Sequence, residues 1–130
     1  MELLVGQSAS VSKLITSEDV HAFADLSMDQ NPIHLDDEAA KASIFKRRIA
    51  HGYYVASFIS AVIAQKLPGP GSIYLGQELA FVRPVFLGDT VTATVTVQEL
   101  PKPGIVKLAT LCRNQDDKVV IEGVATIKYQ

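Results

Sequence analysis

Residues Tyr53 to Leu67 are apolar on nearly every side, opened by Gly52 and closed by the run Pro68-Gly69-Pro70-Gly71. A helix without a broad polar face has to be enclosed by the rest of the chain. Crossing a bilayer takes about 20 apolar residues, and this stretch is shorter and interrupted by Ser57 and Ser60. The wrapping must therefore come from the protein itself. With 130 residues, 48% of them hydrophobic, the chain is large enough for one real core, and a single domain over residues 1–130 is expected.

Beyond the Pro-Gly run the periodicity changes from 3.6 to 2. Four stretches rich in Val, Thr, Ile and Tyr read as strands, Ser72 to Val82, Asp89 to Leu100, Ile105 to Asn114 and Lys118 to Tyr129. The turns between the last three are short, which favours antiparallel neighbours. In Thr90 to Val97 every valine or alanine alternates with a threonine, so one face is apolar and the other carries hydroxyls. Upstream, Val5 to Thr16 suits an edge strand. Thr16-Ser17-Glu18-Asp19 has the cap and acidic first turn of a helix whose inner face carries Val20, Phe23, Ala24 and Ser27 or Leu26. That helix should stop before Asp29-Gln30-Asn31-Pro32, leaving Met28 to Asp36 as a rigid loop, with a short helix over Asp36 to Ala42 after it. The simplest assembly is an α+β hot-dog fold, an antiparallel sheet wrapped around a central buried helix at about Gly52–Leu67. A lone wrapped sheet leaves edges and apolar surface, which predicts a homodimer.

The charge balance excludes several classes of function. A net charge of -2 with scattered Lys and Arg gives no footprint for nucleic acid or an anionic membrane. The start of the chain lacks the basic and apolar regions of a signal peptide, so the cytoplasm is expected. Cys112 is the only cysteine and lies in a strand-like stretch, so it reads as a small core residue. No P-loop, G-x-G-x-x-G or G-x-S-x-G is present. His34, Asp36 and Asp37 are close in sequence, but there is no HExxH or Cys/His spacing, and no metal is expected.

Two windows carry chemistry. In Ser27 to Asp36, Asp29 and His34 bracket a proline-stiffened turn, and a carboxylate with an imidazole on one water makes an acid/base pair. The plainer alternative is that Asp29 and Asn31 cap the turn and His34 is a solvated loop histidine. In Phe45 to Gly52 the chain runs into the buried helix, so the Gly52 N–H sits at a helix N-terminus, where an oxyanion is stabilised. The alternative there is a simple glycine turn. His51 reads as a local cap or packing residue, and Lys46-Arg47-Arg48 as a solvated face. Ser57 and Ser60 are expected to bond back to the preceding helical turn. Tyr53 and Tyr54 either narrow a pocket or join the core.

These windows, Asp29-x-Asn31-Pro32-x-His34 and Ile49-Ala50-His51-Gly52, together with Phe81-Val82-Arg83-Pro84 through Gly88-Asp89, resemble the MaoC-like, (R)-specific enoyl-CoA hydratases over almost the whole chain. The resemblance implies reversible syn hydration of a trans-2-enoyl thioester. In it Asp29 draws a proton from the attacking water and a proton reaches C2 through His34. The Gly52 amide polarises the thioester carbonyl, Asn31 supports the loop and Ser60 lines the acyl pocket. It also implies no cofactor, with coenzyme A or acyl carrier protein serving only as the substrate's carrier. Arg48 is a departure, since such hydratases often have proline after the arginine that precedes the I-x-H-G segment. A thioesterase on the same fold, a non-catalytic acyl-thioester-binding protein, and an obligate heterodimer in which another chain supplies part of the acyl site are the competing readings.

Overall fold

The alternation of valine and threonine in the second half of the chain builds the sheet that organises everything else. The computed structural model describes residues 2–130, with elements β1 (Ser8–Leu14), α1 (Ser17–Ser27), α2 (Pro32–Leu35), α3 (Asp37–Lys41), α4 (Gly52–Gln65), β2 (Ile73–Phe81), β3 (Thr90–Lys102), β4 (Ile105–Arg113) and β5 (Val119–Lys128). The strands form one antiparallel sheet in the order β1-β3-β4-β5-β2. Val91, Ala93, Val95 and Val97 of β3 are buried while the intervening threonines are only half-buried, as the period-2 pattern predicts. Val106, Leu108 and Cys112 of β4 point inward with them. Burial pushes the Cys112 thiol up to about 12, which leaves it unreactive.

The sheet's apolar face closes on α4, which touches β1, β3 and β4. Val55, Ile59, Val62 and Ile63 are almost completely buried there, each burial contributing about 1.5–3 kcal/mol. This is the hot-dog arrangement. The helix ends at Gln65, short of the expected Leu67, because the amides of Lys66 and Leu67 both turn back to the Val62 carbonyl. Enclosure of α4 is also incomplete. Tyr53, Ser57, Ser60 and Ala64 are exposed, and their spacing puts them on one stripe along the helix.

The expected cap of α1 is present, Thr16 Oγ1 accepting from the Asp19 amide at 3.1 Å. Val20 and Ala24 are buried, and Ser27 lies on the inner side while Leu26 is in solvent. The stretch from Met28 to Asp36 is not wholly a loop, since Pro32–Leu35 forms a helical turn. Proline is well placed at the first position of a helix, where no N–H is needed, and Asn31 Oδ1 caps it by accepting from the Ile33 amide at 3.2 Å. Among the described residues, no helix is long and apolar enough to cross a membrane.

Candidate active site

The turn after α1 is built by short polar side chains. Met28 adopts a left-handed backbone that ends α1, and Ser27 Oγ accepts from the Asp29 amide at 3.1 Å. Asp29 Oδ1 accepts from the Asn31 amide at 3.2 Å. Asp29 and Asn31 thus do make the turn-capping bonds of the plainer reading. His34, however, is not solvated. Only 8% of it is exposed, and α2 carries it inward.

The surroundings of His34 determine its tautomer. Its Nδ1 lies 2.7 Å from the Ile49 carbonyl, which can only accept, so Nδ1 carries the hydrogen and Nε2 keeps a lone pair. Burial holds the imidazole below its usual pKa of 6.5. The Ile49 carbonyl opposes that shift, His51 reinforces it by charge repulsion, and Asp29 opposes it. One polar side-chain atom from each of Asp29, His34 and His51 lies within 4.8 Å of the others. The carboxylate and imidazole that the sequence pairs are therefore together in space.

The structure adds His51 to the pair. It stands at the N-cap of α4 but makes no side-chain cap. Its Nε2 instead reaches the Asp29 backbone carbonyl at 3.0 Å, and its ring stacks on His34 with centroids 3.8 Å apart and planes at 28°. The missing side-chain cap leaves the first N–H groups of α4, Gly52 among them, available to an anion. A second reason for glycine at that position is steric. A Cβ on Gly52 would fall 2.6 Å from the Phe81 ring.

Beside Gly52 opens a cavity of about 500 Å³ whose lining includes Phe45, Tyr53, Phe81, Arg83 and Pro84. Tyr53 belongs to this wall, whereas Tyr54 is a core residue whose hydroxyl burial raises to about 12, helped by the nearby Asp19 charge. Ser60 does not line this cavity. It lies on the open stripe of α4, and Ser57 there bonds back to the Tyr54 carbonyl as expected.

The basic run before α4 is not a uniform solvated face. Arg48 is mostly covered and donates from Nε to the His34 carbonyl at 2.7 Å and from a terminal nitrogen to Ser17 Oγ at 3.0 Å, tying α1 to α2. Arg47 lies 3.9 Å over the Phe86 ring.

Three potential ligands in one place raise the question of a metal. His34 Nδ1 and His51 Nε2 face carbonyls, which leaves one nitrogen of each ring for another partner. A carboxylate beside two such imidazoles can pass a proton to and from a water held between them.

A family model described as a MaoC like domain matches residues 5–111. The chain belongs to the MaoC-like family. Among relatives of this MaoC-like chain, the (R)-specific enoyl-CoA hydratase of Rhodospirillum rubrum is 54% identical over 123 residues, covering 94% of this chain and 85% of the relative. The enzyme of the same name from Aeromonas caviae is 48% identical over 128 residues, covering 97% and 95%. A solved structure described as an (R)-hydratase from A. caviae involved in PHA biosynthesis superposes with a TM-score of 0.96 at 46% identity, covering 98% of each chain.

Of the residues singled out in the sequence, Asp29, Asn31, His34 and Gly52 fall in one region, and Ser60 lies apart on the α4 stripe. Sequence reasoning set His51 aside. A histidine directly before a buried helix was the available signal, but its partners are a stacked ring and a backbone carbonyl 22 residues away.

Proposed function

We propose that this protein is an (R)-specific 2-enoyl-CoA hydratase that reversibly adds water, syn, to a trans-2-enoyl thioester with Asp29 and His34 as its acid/base pair. The observation that carries this reading is the meeting of the Asp29 carboxylate with a His34 imidazole whose Nε2 is held unprotonated and free. The names and identities of the similar hydratases support the substrate class.

In hydration a water lies between the two side chains. Its oxygen bonds to C3 while its proton is taken up by the pair, and the π electrons shift toward the thioester oxygen. Gly52 N–H, at the uncapped start of α4, holds the developing oxyanion. The proton then passes to C2 on the same face and the carbonyl re-forms, so one water is consumed and no other reagent is needed. The resemblance gives the first proton to Asp29. The tautomer set by Ile49 favours His34 Nε2 as its carrier, with Asp29 orienting the water and stabilising the imidazolium. Asn31 holds the turn that places Asp29.

Residues 1–130 act as one domain around one core cluster, in a cytoplasmic homodimer that covers the open α4 stripe and in which Ser60 meets the acyl chain. The reaction uses no cofactor, and coenzyme A or acyl carrier protein serves only as the thioester carrier.

The test is crotonyl-CoA turnover followed by loss of enoyl absorbance, by free thiol and by the configuration of the product. Falling enoyl signal, constant thiol and an (R)-3-hydroxyacyl product are expected. Thiol release would replace this reading with a thioesterase, and inertness toward short, medium and long acyl chains would replace it with a binding protein.

A further inference from the structure

His51 occupies a costly position for a residue that only packs. It is 2% exposed, and its Nδ1 has no hydrogen-bond partner among the described residues. A buried polar atom left unpaired costs free energy that a phenyl ring in the same space would not. Space for a ring is not in doubt, since Phe23 lies 4.9 Å away on a cluster that continues to Tyr54 and Phe58. What distinguishes the imidazole is the bond it donates from Nε2 to the Asp29 carbonyl at 3.0 Å while its face lies 3.8 Å from His34. One side chain thus touches both members of the pair. Its backbone is the residue before Gly52, so it also fixes the start of α4 relative to that pair.

We propose that His51 is a positioning residue for the hydration reaction, holding Asp29, His34 and the Gly52 amide in one relative placement through its Nε2 bond and its stack. The inference rests on the hydratase reading for its kinetic consequence. Its electrostatic consequence does not need substrate. The titratable groups facing His51 are His34 and Asp29, with Tyr54 in the aromatic cluster behind it. Because repulsion from His51 helps hold the His34 imidazole down, replacing His51 by a neutral side chain moves the His34 titration to higher pH.

Two variants separate positioning from packing. His51→Phe keeps the ring and loses the donor, and His51→Gln keeps an amide N–H near the Nε2 position. His51→Phe is expected to lower kcat about tenfold or more with KM little changed, and His51→Gln to recover most of the loss, both at unchanged melting temperature. Nitrogen-15 spectra of the imidazoles, recorded without substrate, are expected to show His34 titrating at higher pH in both variants. Wild-type kcat in both variants, or equal loss in both with equal loss of melting temperature, overturns the proposal. If the wild-type chain hydrates no enoyl thioester, the hydratase reading fails, and crystal structures of the two variants decide. An Asp29 turn and His34 ring that keep their wild-type placement beside Gly52 in His51→Phe then refute the positioning role, and a displacement in His51→Phe that His51→Gln restores sustains it.

Discussion

At the scale of single residues, the proposed chemistry depends on a neutral imidazole beside a carboxylate. Asp29→Asn keeps the turn-capping oxygen but removes the charge, and His34→Ala removes the lone pair on Nε2. Each is expected to lower kcat by about a hundredfold or more while circular dichroism and melting temperature stay near those of the wild type. Wild-type turnover in both folded variants refutes the pair. The pH dependence has a definite sign. The folded-state pKa of His34 lies below 6.5, so the neutral imidazole predominates at pH 6.5, and kcat/KM is lost as the pH falls through the depressed value. The same shift means that the unfolded chain binds the proton first. Its contribution to stability is complete above pH 6.5 and disappears as pH falls through the folded pKa. A pH profile of kcat/KM whose acid limb lies above 6.5 contradicts this assignment.

At the scale of elements, legibility followed periodicity. The strands were read nearly to their ends because Val91 to Val97 and their counterparts alternate through a sheet with one buried face. The four-residue turn α2 is not legible because it barely exceeds one helical period and is stabilised by a local cap instead of a hydrophobic pattern. The Asp29 and His34 pairing was legible because both lie on one stiff turn. The part played by His51 was not, because stacking and a bond across 22 residues leave no local trace. Gly123 shows the same blindness inside a strand. Nothing in the run Val119 to Lys128 marks it, yet a Cβ there would lie 1.7 Å from the Glu78 carbonyl oxygen on β2. Backbone cannot yield as a side-chain end does, so Gly123→Ala is expected to destabilise the protein by about 1–3 kcal/mol. Gly76, on β2 itself, has open space around its Cα, and Gly76→Ala is expected to change stability by no more than about 0.5 kcal/mol. Thermal unfolding of the two variants side by side makes the comparison, and equal melting temperatures would count against the close approach of β5 and β2.

At the scale of the whole molecule, the single chain is incompletely covered in two adjoining places. Among the described residues strand β2 pairs only with β5, so its other edge presents unpaired backbone groups, and Ile73, Leu75, Phe81 and Val82 beside it are exposed. The α4 stripe of Tyr53, Ser57, Ser60 and Ala64 is open as well, with Tyr53 in contact with Phe81 at 5.6 Å. A helix with so little polar surface is stable only when it is enclosed, and an unprotected sheet edge invites pairing with another chain. A second copy related by a two-fold axis meets both needs with one surface. Sedimentation of the purified protein is therefore expected to give twice the 14.1 kDa chain mass. Ala64→Arg places a long charged side chain on the stripe at its far end from Gly52, where solvent would accept it in a monomer and a partner helix would not. It is expected to yield a folded monomer with reduced turnover. A monomeric wild-type chain, or an Ala64→Arg variant that remains dimeric and fully active, would show that α4 is covered in some other way and that the active site is complete within one chain.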